Sequence, residues 1–259
     1  MQNLEAVEPE GERYTADLLL LHGLWAAPTL WRSIALGFAQ RGWRCWLLDA
    51  RASADAGEPA GPSEVADWCG RAADAAKSLA APPIAIGHDA GGLVALALAE
   101  RGLVRAAVAA APLLAGSGGL VPALAGWAAR LAGRDVPPPA PSDPRLGGLS
   151  ASARGRLVEG LRPESGRLVA SLRGRALAPG SPRVPALLIA QSDDPFVPAP
   201  LVAVTARGIE ADDLVLPGSH WPMVDDRIDA WTTQVHRWIV RRVGQGLLIL
   251  RGDEDLRDD

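Results

Sequence analysis

Residues 82–98 read PPIAIGHDAGGLVALAL and carry the most chemistry in the chain. An apolar strand runs into Gly87-His88-Asp89-Ala90-Gly91-Gly92 and straight on into an apolar helix. This is the pattern of a sharp strand-to-helix turn that holds one side chain bare above a sheet. Glycines two before and two after the apex are needed because a side chain there would meet neighbouring backbone, and the turn strains the central residue. The central residue is Asp89, where the common form of the pattern has serine. A carboxylate is ionised near neutral pH and needs no base to make it a nucleophile. Its attack on an ester carbonyl gives a high-energy anhydride; its attack on an sp3 carbon bearing a leaving group gives a stable alkyl ester. The plainer reading of Asp89 is a helix N-cap, but a cap alone does not call for three flanking glycines.

The elements that must position this turn alternate along the chain. Short, nearly continuous apolar runs at 16–21, 45–48, 84–86, 106–111, 186–190 and 214–216 read as strands buried on both faces. Helix-length segments lie between them at 29–41, 63–80, 90–100, 200–207 and 226–243. Ser63 with Glu64, and Asp226, offer N-caps, and Gly42 and Gly102 sit where helices should end. Alternating β and α elements predict an α/β fold, a doubly wound, mostly parallel sheet with right-handed crossovers. No strand run is legible from 116 to 185. Helices at 120–131, 151–161 and 164–177 around Pro137-Pro138-Pro139 predict a helical cap inserted between two strands. The organisation expected is thus a core of residues 13–115 and 186–243, a cap of 116–185 and a tail of 244–259, in which Leu247–Leu250 could add a strand or meet a partner.

With these residues in view, 17–242 resembles the α/β-hydrolase superfamily. The resemblance implies roles for further residues. His22-Gly23-Leu24 after the first long strand resembles the turn that supplies one oxyanion-hole amide, from Leu24, the second coming from Ala90. Gln191-Ser192-Asp193-Asp194-Pro195-Phe196-Val197-Pro198 resembles the segment of the triad acid and selects Asp194, with Asp193 or Asp213 as fallback. Gly218-Ser219-His220-Trp221-Pro222 resembles the loop of the triad base, His220. The order nucleophile, acid, base is that of the superfamily. His22 and His88 are expected to brace the two oxyanion turns, and His236 to pack on the last helix. The four histidines lack metal-ligand spacing, so neither metal nor cofactor is expected.

An aspartate apex resembles haloalkane dehalogenases, fluoroacetate dehalogenases and epoxide hydrolases, with departures. Ala90 stands where the first usually have a halide-binding Trp and the second an Arg. The only tyrosine, Tyr14, precedes the first strand, so the tyrosines that open an epoxide have no counterpart, and Trp25 stands where Pro is usual. Among nine tryptophans, Trp25, Trp127 and Trp221 are candidates for the substrate pocket, since an indole N–H can hold an anion and its ring can wall an apolar cavity. The expectation is a hydrolase that forms an alkyl ester at Asp89 on a small apolar substrate with a carbon–halogen or epoxide-like bond, hydrolysed by water that His220 activates. Two alternatives stay open: ester, lactone, lyase or cyclase chemistry at the same site, and a non-catalytic binding protein.

Composition excludes other classes. The 259 residues are 48% hydrophobic with a net charge of −4, which argues against a nucleic-acid binder. Cys45 and Cys69 are too few for a disulfide framework. The acidic N-terminus lacks the basic and apolar regions of a signal peptide, and no apolar run reaches the roughly 20 residues of a membrane span. A cytoplasmic protein with a small-molecule partner and no membrane or nucleic-acid partner is expected; the oligomeric state is open.

Overall fold

A computed structural model describes residues 3–51, 64–117, 134–172, 178–244 and 249–250. The strands in chain order are β1 (Leu4–Val7), β2 (Arg13–Tyr14), β3 (Leu18–Leu21), β4 (Cys45–Leu48), β5 (Ile84–His88), β6 (Ala106–Ala110), β7 (Asp135–Val136), β8 (Glu164–Ser165), β9 (Ala186–Gln191), β10 (Asp212–Leu216) and β11 (Ile249–Leu250). Seven form one sheet in the order β1-β4-β3-β5-β6-β9-β10. All its pairings are parallel except β1 with β4. The α/β, mostly parallel fold expected from the sequence is the fold observed.

The continuous apolar runs have a simple cause. Leu19 and Leu21 pack into one core layer with Trp68, Val94 and Leu188, while Leu18 and Leu20 pack into the other with Trp31, Trp43 and Ile189. Side chains alternate across a strand, so a sheet covered on both sides needs apolar residues at every position. β10 departs from this. It is an edge strand, and the alternating exposure of Asp212–Leu216 leaves Asp213 and Val215 in solvent.

Helix Ala90–Glu100 begins at the residue after Asp89 and is apolar on nearly every side. It can be so because it lies between the sheet and helix Val65–Ser78. That second helix starts at Glu64, whose side chain forms a capping box with Asp67; Ser63 lies outside the described residues. The last helix runs from Ile228 to Val243 with Arg227, not Asp226, at its N-cap. Gly42 and Gly102 adopt φ of +87° and +66° past the ends of their helices, as expected.

The chain between β6 and β9 differs in detail from the all-helical expectation. Helix Ala151–Gly160 is present, but Glu164–Ser165 is a short strand paired with Asp135–Val136, and helix only follows at Gly166–Ser171. Two-residue strands carry no periodicity, so the sequence cannot announce them. The expected helix at 120–131 lies outside the described residues, as do 173–177. Of the tail, Ile249–Leu250 pairs with Arg13–Tyr14 as a separate two-stranded ribbon. Among the described residues, no helix is long and apolar enough to cross a membrane.

Candidate active site

Asp89 stands between β5 and the following helix at φ 53° and ψ −122°, a conformation that costs a non-glycine residue about 1–3 kcal/mol. The turn is closed by backbone: Asp89 N–H donates to Ala110 O at 3.1 Å, and Asp89 O accepts from Gly92 and Leu113. The glycines are required as the pattern predicts. A Cβ on Gly87 would lie 2.0 Å from Gly91 O, and one on Gly91 would lie 2.3 Å from His22 O. Gly23 is under the same constraint, since its Cβ would stand 2.8 Å from that of Asp89. Close packing therefore puts the turn after β3 against the apex after β5.

Leu24 N–H donates to Asp89 Oδ2 at 3.0 Å. The Ala90 amide also donates to this carboxylate. Both residues expected to supply amides thus direct them at one side chain, and one carboxylate oxygen is engaged by Leu24. Burial pushes the Asp89 carboxyl above the usual carboxylate range, while His220, the two amides and Arg145 draw it back part of the way.

His220 Nδ1 and Asp194 Oδ2 are 2.7 Å apart, and both residues are buried. Asp194 Oδ1 accepts from Phe196 N–H at 2.8 Å and Val197 N–H at 3.3 Å, which fixes the carboxylate from the other side. For His220 burial favours the neutral ring, but the Asp194 charge and hydrogen bond outweigh it, and the histidine is held above its ordinary value. For Asp194 burial acts upward, but the His220 charge and the hydrogen bonds leave it below the usual range. With Nδ1 on Asp194, Nε2 is the nitrogen left for proton chemistry. Asp193 is instead exposed and paired with Arg227, and Asp213 is exposed on β10, so only Asp194 of the three meets His220. The two loops are tied by Ser192 N–H to Leu216 O and Asp193 N–H to Gly218 O.

The histidines at the turns have separate tasks. His22 Nδ1 donates to Gly23 O at 2.9 Å and its Nε2 accepts from Ala50 N–H at 3.3 Å, so it braces the turn after β3 as expected. Burial, then the charge of Arg51, pulls it down to about 4, and it is neutral. His88 was expected to serve the same turns but holds the base loop instead, with Nε2 donating to His220 O at 2.7 Å. His236 accepts from Trp43 Nε1 at 3.0 Å on the last helix, the packing role expected.

Trp25 is buried under the Arg145 guanidinium, whose Cζ lies 4.8 Å from the ring centroid, and its Nε1 has no hydrogen-bond partner among the described residues. Trp221 packs against His220 and His88, and its Nε1 donates to Arg145 O at 2.9 Å, so that donor is already engaged. Trp127 lies outside the described residues. Four residues escaped the sequence reading. Arg145 is held by Asp143 through three hydrogen bonds, one from its backbone N–H and two from its guanidinium, and stacks on Trp25 and Phe196. The buried Glu164 pairs with the part-buried Arg51 beside Trp25. Asp225 accepts from Ser219 N–H at 2.9 Å next to His220. All four act through contacts distant in sequence or through short turns, which leave no periodic signal. Among the described residues, no group of three or more His, Cys, Asp or Glu could hold a metal ion.

The profile of the alpha/beta hydrolase family matches residues 18–232, most of the chain. The chain belongs to the alpha/beta hydrolase family. The expectation of an enzyme holds at that level. Solved structures agree on the fold. A monoacylglycerol lipase from Paleococcus ferrophilus superposes with a TM-score of 0.72 at 20% identity, covering 92% of this chain and 99% of its own. MenH from S. aureus gives 0.69 at 15%, covering 93% and 99%. An esterase from Thermogutta terrifontis gives 0.69 at 17%, covering 92% of each chain. No curated protein sequence matches the chain.

Proposed function

We propose that Asp89 is a nucleophile and that this alpha/beta hydrolase cleaves a small, largely apolar substrate at an sp3 carbon bearing a leaving group. The supporting observation is the hydrogen bond from Leu24 N–H to Asp89 Oδ2. It engages Oδ2, and the attack is assigned to Oδ1. Displacement forms a bond from that oxygen to the substrate carbon, and the leaving group departs with its electron pair as halide or alkoxide. His220 Nε2 then takes a proton from water, and the resulting hydroxide attacks the Asp89 carbonyl carbon. The Leu24 and Ala90 amides hold the oxyanion, collapse expels the product alkoxide, which takes the proton from His220, and the Asp89 carboxyl group releases its own proton to solvent to regenerate the carboxylate. Removing one such donor costs roughly 10²–10³ in rate in measured cases. Asp194 keeps the His220 ring oriented and stabilises its protonated form. The buried Trp25 Nε1–H, without a partner among the described residues, is a donor to which a departing anion would supply an acceptor. In this reading 116–185 acts as a cap over the site.

The test is covalent trapping. His220→Gln, incubated with 1-bromobutane or styrene oxide, should gain the mass of the substrate fragment on Asp89. Wild-type enzyme in a single turnover in ¹⁸O-water should carry label in the Asp89 carboxyl group. Absence of both outcomes with each probe overturns the nucleophile. A second reading, in which Asp89 moves a proton in ester, lactone or lyase chemistry, is favoured by the upward push of burial on its carboxyl group. It predicts turnover with neither adduct nor label.

A further inference from the structure

Residues 160–164, from the segment between β6 and β9, lie along the turn that carries Leu24. Ala27 N–H donates to Gly160 O at 3.0 Å and Arg162 N–H to Trp25 O at 2.7 Å, with Ala26 and Leu161 paired as an antiparallel bridge. The next backbone donor of the turn has no such partner in this bridge. Trp25 N–H instead donates to Glu164 Oε2 at 3.2 Å.

Glu164 is 1% exposed. Its Oε2 also faces Arg51 Nη2 at 3.2 Å, and the same nitrogen donates to Ala26 O at 2.6 Å. Its Oε1 accepts from Ser165 N–H at 3.3 Å. A buried carboxylate is costly to maintain, and a neutral acceptor would satisfy the Trp25 amide at lower cost. A charge-assisted bond is roughly twice as strong as a neutral one, which suits a backbone that must be held against strain. Such strain is present: Trp25 has φ 58°, unfavourable for a bulky residue. Trp25 N belongs to the peptide plane that follows Leu24, so anchoring it fixes the backbone on one side of the amide that reaches Asp89.

We infer that Glu164 is a positioning residue that aims the Leu24 amide at Asp89, giving the segment between β6 and β9 control over ester hydrolysis. This rests on the nucleophile reading above. The Leu24 amide is needed most when an oxyanion forms on the Asp89 carbonyl, and least when the carboxylate attacks.

The experiment separates the two steps by quench-flow and intact mass with 1-bromobutane and styrene oxide. Glu164→Ala should slow ester hydrolysis roughly ten- to hundredfold, as expected for a displaced oxyanion donor. Ester formation should stay within about threefold, so the adduct accumulates where the wild type shows little. Glu164→Gln, which retains an acceptor for Trp25 N–H but neither its charge nor its ion pair with Arg51, should recover only part of the hydrolysis rate. If Glu164→Ala does not fold, Glu164→Asp, which withdraws the acceptor by one methylene, takes its place in the same comparison. Wild-type hydrolysis, or equal loss in both steps, overturns the inference, the second outcome assigning Glu164 to structure only. An adduct in His220→Gln beside either outcome shows that the nucleophile reading stands; its absence there removes that reading and this inference with it.

Discussion

His88 Nε2 donates to the carbonyl oxygen of His220 at 2.7 Å. The residue immediately before the apex thus holds the loop that presents the imidazole, and the two rings lie 4.8 Å apart, edge to face. A fully buried backbone carbonyl without a donor costs about 1–3 kcal/mol. His88→Leu should therefore lose stability in that range and lower kcat with little change in KM. His88→Gln, whose amide nitrogen can reach the same carbonyl, should keep most of both. Urea unfolding and steady-state kinetics check this, and equal behaviour of the two variants would remove the hydrogen bond from the account.

The same histidine makes stability depend on pH. Burial, then the charge of His220, pulls His88 down to about 3, and burial pulls His22 down to about 4. In the unfolded chain each returns to about 6.5. Below that pH the unfolded state binds protons the folded state refuses, so this contribution is present in full above about 6.5 and fades as pH falls. Each histidine adds a slope of about 1.4 kcal/mol per pH unit. Between about pH 5 and 6.5, His88→Gln should show a shallower dependence of the unfolding free energy by about that amount. Parallel curves for variant and wild type would contradict a buried neutral His88.

The glycines of the apex are not equivalent. A Cβ on Gly87 meets the Gly91 carbonyl oxygen at 2.0 Å, which only backbone movement can relieve, whereas a Cβ on Gly92 stands 3.3 Å from Pro112 Cβ. Gly87→Ala should cost more than about 3 kcal/mol or abolish folding. Gly92→Ala, inside a helix that gains about 1 kcal/mol from Ala over Gly, should be close to neutral. Thermal melts of the two variants decide it.

The sequence made the strands, the apex glycines and the pairing of Asp194 with His220 legible for physical reasons. β3 through β6 are buried on both faces, so composition alone marks them. Gly87 and Gly91 are forced by contacts under 2.5 Å, so the glycines themselves signal the turn. Asp194 was separable from Asp193 only through its motif; the structure adds that Asp193 points to Arg227 in solvent. The sequence puts Glu164 at the start of a helix because apolar positions at helical spacing follow it, and its partner Trp25 is 139 residues away. Arg145 was lost for a similar reason: a short 3-10 turn, Pro144–Leu146, places it, and its contacts with Trp25 and Phe196 come from distant turns. Charge pairs of this kind depend on the assembled fold and leave no trace in local patterning.

The two chemical steps should separate by pH. Ester formation needs only an ionised Asp89, and a protonated His220 does not hinder it. Hydrolysis needs a neutral His220, and the Asp194 charge, overcoming burial, holds that histidine above its ordinary value. Hydrolysis should therefore rise with pH through a midpoint above about 6.5, while ester formation persists below it as far as Asp89, which burial pushes upward, stays ionised. Adduct on Asp89 in the wild type should then accumulate in mild acid and disappear toward alkaline pH. Intact mass at a series of pH values reads this directly, and an adduct level that does not change with pH would exclude His220 as the base.

Arg145 supplies the control on that midpoint. Its guanidinium lies over Trp25 and lowers both Asp89 and His220 through its charge. Removing the charge should raise both groups, and the loss of its pairing with Asp143 acts in the same direction, since an unpaired carboxylate nearby favours protonated His220. In Arg145→Met the acid limb of ester hydrolysis should therefore move to higher pH. Arg145→Lys, which keeps a positive charge, should leave it nearer the wild-type position. The Arg145 carbonyl that accepts from Trp221 is backbone and remains in either variant, so the base loop keeps that support. A shift common to Met and Lys would implicate packing on Trp25 and Phe196 instead of charge. A downward shift in Met would contradict the electrostatic account, because no positive charge near His220 is gained on removing the guanidinium.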